Sequence, residues 1–180
     1  MNQQIHLETC SDCFVQLPKL EDDSPTHRYM GGSASCWNLF ANMHNGGEPP
    51  IAPAPLNHFF IDAYCVQHHG VPNPQAIQSV AVHGLPLYCL FELGMSLSPE
   101  KAIWMRQWAT FDKDGQKHRR YSWLTPPDQS GCLTIGDIAQ QPTPETRAEQ
   151  LQAYITQVWD VWRVDHLDMF ARWYQEFIVQ

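Results

Sequence analysis

The segment from Asn57 to Gly70 holds residues whose types and spacing are suited to chemistry. At 3.6 residues per helical turn, four side chains that can bind a metal or move a proton fall on one face of a helix. They are His58, Asp62, Cys65 and His69. Their flanking residues are large and mostly apolar, so this helix is expected to be buried on more than one side. Buried imidazoles and carboxylates need hydrogen bonds, an ion partner or a metal. The pattern therefore predicts either a reactive face or a set of hydrogen-bonded core residues.

A second group of candidate ligands lies near the N-terminus, where Cys10 and Cys13 form a Cys-x-x-Cys pair. Two residues between the cysteines let the backbone turn around one tetrahedral zinc ion. Cys36 and His27 are the nearest further ligands, so we predict a zinc site of Cys10, Cys13, Cys36 and His27. A redox pair would prefer a strand-to-helix context, which this segment lacks, and two unrelated thiols are the remaining alternative.

Two further histidines fall within predicted helices. His83 lies in an apolar helix three residues before Pro86, which removes the hydrogen bond to the Val82 carbonyl and is expected to kink the helix. His166 lies in a line of aromatic residues at 3–4 spacing. Each can be either an ordinary hydrogen-bonded core histidine or a ligand.

The elements that must position these residues are helices with clear starts and stops. Capping residues, prolines and glycines delimit them, and the predicted ranges are 57–70, 75–93, 98–110, a short helix after Thr134, and 144–177. A short helical segment begins at Ser35, and no strand shows convincing alternation. The fold class is therefore mainly α: one domain over 1–180, with a helical bundle at 56–180 and an irregular, zinc-stapled region at 1–55.

Composition excludes several classes of function. The 180 residues are 43% hydrophobic and carry a formal charge of −8, which disfavours a phosphate-binding surface and hence nucleic acid. The basic cluster at 117–120 is too short to alter this, and an acidic loop at 21–23 adds to the negative charge. We find neither a signal peptide nor an apolar run long enough for a membrane span. We expect a cytoplasmic protein, whose six cysteines serve as thiols or metal ligands rather than disulfides.

An ordered set of motifs carries a resemblance that covers most of the chain. The set is Cys10-x-x-Cys13, His27-x-Tyr29-x-Gly31, Cys36-Trp37, His58-x-x-x-Asp62-x-Tyr64-x-x-Gln67-His68 and Ser79-x-x-x-His83. It resembles an uncharacterised bacterial family known only as a domain of unknown function. The resemblance implies family membership and no activity. This chain has His69 where the pattern has proline, which moves the preferred functional residue from His69 to His68.

Two classes of function follow. The first is an enzyme acting on a small molecule at a buried centre of His58, Asp62, His68 and His83, with His166 a further candidate. Nitrogen and carboxylate ligands there would suit a second metal such as zinc, iron, manganese or nickel. The alternative is a binding or adaptor protein with a purely structural zinc, which contacts a protein partner through exposed tryptophans of the last helix. We predict that Asp62, His58 and His83 meet in the interior, with His68 nearby.

Overall fold

A computed structural model describes residues 6–20, 26–45, 51–96, 98–112, 114–116 and 121–179. Helix accounts for 59% of them and the sheet has two short strands, which confirms the mainly α class. The elements are β1 (Leu7–Thr9), β2 (Gln16–Pro18), α1 (Ala34–Asn45), α2 (Leu56–Gln67), α3 (Pro74–Phe91), α4 (Pro99–Thr110), α5 (Ile135–Ala139) and α6 (Pro144–Phe177). No helix among the described residues is long and apolar enough to cross a membrane. The acidic loop at 21–23 and the basic cluster at 117–120 lie outside the described residues.

Helix α3 is the central element, because α2, α4 and α6 all pack against it. Its start is set by Asn73, whose side-chain oxygen accepts hydrogen bonds from the backbone N–H groups of Gln75 and Ala76. Such an N-cap satisfies donors that have no partner inside the helix. Gly84 faces the ring of Phe170, and a Cβ atom there would collide with that ring. The missing side chain therefore lets α3 and α6 approach closely.

The tryptophans of α6 form the core rather than a surface. Trp159, Trp162 and Trp173 are 1%, 0% and 2% exposed. Trp159 donates its indole N–H to Glu92 at 2.8 Å, which satisfies its polar atom inside the bundle. The expectation that exposed tryptophans of the last helix form a partner surface is therefore wrong.

Helix α4 packs through small residues. Ala102, Met105 and Ala109 are its buried residues, whereas Ile103 and Trp104 are each 45% exposed. Alanine side chains are small enough to let α4 lie close to α3. The face that carries Ala102 and Ala109 therefore turns inward, and the face with Ile103 and Trp104 turns outward. This orientation also brings Arg106, which follows Met105, toward the interior.

The N-terminal region is more regular than the sequence suggests. Strands β1 and β2 form an antiparallel hairpin with Leu7 opposite Pro18, and α1 is a full helix of 12 residues. Each strand has only three residues, which is too short to show the alternation by which strands are recognised in a sequence.

Candidate functional site

Cys10, Cys13, Cys36 and His68 form a buried group in which all ligand atoms lie within 4.8 Å of one another. The Cys36 sulfur is 3.8 Å from the Cys13 sulfur and 3.2 Å from Nε2 of His68. Zinc–sulfur bonds of about 2.3 Å at tetrahedral angles put two sulfurs about 3.8 Å apart. Cys13, the most exposed of the four, is only 3% exposed. The group has the size and the donor set of a tetrahedral metal site.

The turn between β1 and β2 presents the first two thiols. The N–H of Cys10 donates to the Val15 carbonyl at 2.9 Å, and the N–H of Phe14 donates to the Cys10 carbonyl at 3.1 Å. Phe14 has a φ of 61°, a left-handed conformation that lets the chain reverse right after Cys13. The backbone thus forms the tight knuckle that a Cys-x-x-Cys metal site requires.

Asp12, inside this knuckle, ties it to the end of α2. Its carboxylate accepts a hydrogen bond of 2.8 Å from the N–H of Gly70. Gly70 has a φ of 66°, and a Cβ atom there would lie 2.5 Å from the carbonyl oxygen of Tyr29. A glycine is therefore required where the chain leaves α2 beside the knuckle.

His68 supplies the fourth donor from the C-cap of α2. Its Nδ1 lies 2.9 Å from the Tyr64 carbonyl, which can only accept, so Nδ1 carries a proton and Nε2 is the nitrogen that faces the sulfurs. The φ and ψ of His68, −101° and 63°, are not helical. The helical spacing that favoured His69 therefore ends at Gln67 and does not predict the direction of the His69 side chain. His69 turns instead toward its neighbour, with Nδ1 2.8 Å from the Gly70 carbonyl.

Cys10 and His68 stabilise charge on each other, whereas hydrogen bonds with Cys10 and Cys13 raise the pKa of Cys36 far above its usual range. Hydrogen bonds with the Cys13 and Cys36 thiols lower the pKa of Cys10 far below its usual range, although burial opposes a thiolate. Burial also opposes a charged imidazole, but hydrogen bonds with Cys10 and Cys13 raise the pKa of His68 to about 10. Negative charge on sulfur thus collects in a buried space, where a cation can replace the protons.

His27, the fourth ligand expected from the sequence, lies outside this group. Its ring packs against Tyr29 and Trp37, with ring centroids 4.4 and 4.7 Å apart. These aromatic contacts hold His27 beside Trp37 of α1, and His68 occupies the fourth position.

A second cluster forms around Asp62, which is fully buried. One carboxylate oxygen accepts from Nδ1 of His83 and Nε of Arg106, both at 2.8 Å, and the other accepts from a terminal nitrogen of Arg106 at 2.7 Å. The same guanidinium donates to the His58 carbonyl at 3.0 Å. The structure thus brings Asp62 and His83 together as predicted, whereas His58 contributes its backbone carbonyl.

Arg106 is the member that sequence reasoning missed. The sequence signal for Arg106 is weak, because it lies on the helix face of Ala102 and Ala109. The large apolar residues Ile103 and Trp104 suggest that a different face of α4 is buried. Both oxygens of Asp62 already accept N–H donors, so the carboxylate acts as the centre of an ion-pair cluster. In the described part of the chain, the three cysteines and His68 are the one group of three or more His, Cys, Asp or Glu residues whose ligand atoms are close enough to hold a metal.

His83 is held in its charged form. Burial opposes the charge, but the adjacent Cys65 and Asp62 raise the pKa of His83 to about 10. Arg106 remains charged for a similar reason, because Asp62 raises its pKa against the effect of burial. His166 lies apart from both groups: its Nε2 is 2.7 Å from the Thr125 carbonyl, and its ring packs on Trp162.

A cavity of about 260 Å³ opens beside this cluster. Its walls come from α3, α4 and the segment before α1, and its lining residues are Tyr29, Gln75, Gln78, Ser79, Val82, His83 and Thr110. The imidazole of His83 is 19% exposed, so it links the buried carboxylate of Asp62 to the cavity.

A protein-family model matches most of the chain. The model of a family described as "Family of unknown function (DUF5946)" matches residues 8–163, a range that includes both groups. No curated protein and no solved structure matches the chain.

Proposed function

We propose that Cys10, Cys13, Cys36 and His68 bind one structural zinc ion. The chain that carries them belongs to the Family of unknown function (DUF5946). The observation that carries this proposal is the convergence of four buried ligand atoms within 4.8 Å. Three thiolates and one imidazole form a soft donor set that suits zinc. Four protein ligands leave no open position for water or substrate, which is the pattern of a structural rather than a catalytic zinc site.

The ion would join three parts of the fold. Cys10 and Cys13 come from the hairpin, Cys36 from the first turn of α1, and His68 from the end of α2. Binding energy at such a site is folding energy for the segments that it joins. The thiols must stay reduced to bind the ion, so we place the protein in a reducing compartment such as the cytoplasm.

Elemental analysis of the purified protein tests this proposal. We expect one zinc per chain, and loss of most of it in Cys13→Ser and in His68→Gln, because each removes one ligand. The matched controls are Cys89→Ser, a buried cysteine outside the group, and His27→Gln. Both controls are expected to keep full zinc content. Full zinc content and unchanged melting in Cys13→Ser would show that the assignment is wrong.

A second candidate function is acid–base chemistry on a small molecule, and the Asp62–His83 pair supports it. Asp62 orients the imidazole through Nδ1, as an orienting carboxylate does in many enzymes, and the ring lines a cavity. A charged His83 would serve as the proton donor without a second metal. Titration of the imidazole by NMR tests this: we expect His83 to stay protonated at pH 8, and a neutral ring at that pH would contradict the role.

A further inference from the structure

We propose that the cavity beside His83 binds a small molecule through a carboxylate or similar anionic group. The inference shares only its location, the cavity beside His83, with the second proposed function. It concerns ligand binding and requires no catalytic step. It is independent of the zinc site.

The charges around the cavity favour an anion. On α2, Asp62 and Cys65 face His83; on α4, Arg106 completes the cluster through Asp62; and His27 lies near the ring from the segment before α1. Asp62 offsets one of the two positive charges of Arg106 and His83. Cys65, whose charge also raises the pKa of His83, lies outside the lining, so the charge that the cavity presents is that of His83.

Only one of these charges reaches the cavity. His83 lines it, whereas the carboxylate of Asp62 is 0% exposed and lies behind the imidazole. The lining among the described residues contains no carboxylate. A ligand entering the cavity therefore meets the positive side of the cluster and is separated from its negative side.

The other polar groups of the lining include hydrogen-bond donors. Gln78 lines the cavity, and its amide nitrogen is buried without a hydrogen-bond partner. Such an unpaired buried donor is costly, and a ligand oxygen would satisfy it. The hydroxyls of Tyr29 and Ser79 can donate as well. Gln75, Gln78, Ser79, Val82 and His83 recur at helical spacing, so one stripe of α3 supplies most of the site.

The volume limits the size of the occupant. The cavity volume of about 260 Å³ is just below the range of about 300 to 1,000 Å³ that is usual for pockets that bind drug-sized molecules. The site therefore fits a compact organic acid rather than a nucleotide or a peptide.

The test measures binding of two acids and their neutral counterparts to the full-length, zinc-loaded protein. Acetate and benzoate are the anionic probes, and acetamide and benzamide have the same shapes without the charge. NMR of isotope-labelled histidine follows the His83 ring while calorimetry follows affinity. We expect saturable shifts of the His83 ring with at least one acid and none with the matching amide.

Variants locate the site. We expect His83→Gln to weaken acid binding at least about tenfold, because a hydrogen bond to a charged group is lost. Gln78→Leu is expected to weaken it less, and it keeps the assignment testable if His83→Gln does not fold. The matched controls are His6→Gln and Gln175→Leu, both at exposed positions, and both are expected to bind as wild type. Equal binding of acids and amides, absence of saturable binding, or wild-type affinity in both cavity variants would each overturn the proposal. A neutral His83 ring at pH 8 with intact acid binding would remove the acid–base role alone.

Discussion

Replacing Asp62 by asparagine isolates the contribution of the buried ion-pair cluster to stability. The amide keeps the shape of the side chain but leaves Arg106 and His83 without their anion. Removing one partner of a buried pair costs about 3 to 5 kcal/mol, because the remaining charge stays buried. We therefore expect Asp62→Asn to lower the free energy of unfolding by about that amount at pH 7.

The dependence on pH separates His83 from Arg106. The pKa of His83 rises from its ordinary value of 6.5 to about 10 in the folded protein, which corresponds to about 5 kcal/mol if all of it reflects folding. Asp62 shares this effect with Cys65, so only part of it is expected from Asp62. A raised folded-state pKa stabilises fully below pH 6.5, and this contribution is lost as the pH rises through about 10. The difference between wild type and Asp62→Asn should therefore shrink between pH 6 and pH 10.

Urea unfolding at several pH values, with zinc content checked at each, measures this difference. The matched control is Asp160→Asn, whose partner Arg163 is 2.9 Å away on the exposed side of α6. An exposed pair contributes about 0 to 1 kcal/mol, so a change of that size is expected, with little dependence on pH. A loss below about 1 kcal/mol in Asp62→Asn, or a difference that grows toward pH 10, would refute this reasoning.

Two further predictions concern the zinc site and the helix packing. Chelation of the metal should speed amide exchange in the β1–β2 hairpin and α1 while α3 and α6 keep their protection, because none of the four residues lies on α3 or α6; equal exchange throughout would contradict a local role. Gly84→Ala should lower the free energy of unfolding by about 1 to 2 kcal/mol, since the clash with Phe170 outweighs the better helix propensity of alanine. The double variant with Phe170→Leu should melt above Gly84→Ala alone, and a stabilised Gly84→Ala would show that the contact has room.

The long helices could be predicted because their ends are encoded locally. Thr143 accepts a hydrogen bond from the N–H of Thr146, and Pro144 follows it, so the start of α6 can be read from the sequence. The capping box of Thr134 and Asp137 fixes α5 in the same way. The β1–β2 hairpin could not be predicted, because three-residue strands leave too little pattern.

The candidate site was only partly predictable. The Cys-x-x-Cys knuckle and the pairing of Asp62 with His83 follow from spacing and from the cost of burying polar groups. His68 was expected near Asp62 and His83 but lies with the three cysteines, because its backbone leaves the helical geometry at the end of α2. Arg106 was obscured because α4 buries alanines and exposes Trp104. In both cases the deciding factor is how the elements pack, which a single sequence does not reveal.

If the four residues bind zinc as proposed, their positions along the chain set the order in which they can bind the ion during synthesis. Cys10 and Cys13 are neighbours within one tight turn, so this pair can take up an ion as soon as the turn forms. Cys36 and His68 belong to helices that are synthesised later, and bringing distant segments together is slow because loop closure costs entropy. An ion already held by the first two thiols would give those helices a fixed point on which to assemble. Metal supply during synthesis would then govern how fast the protein matures as well as how stable it is.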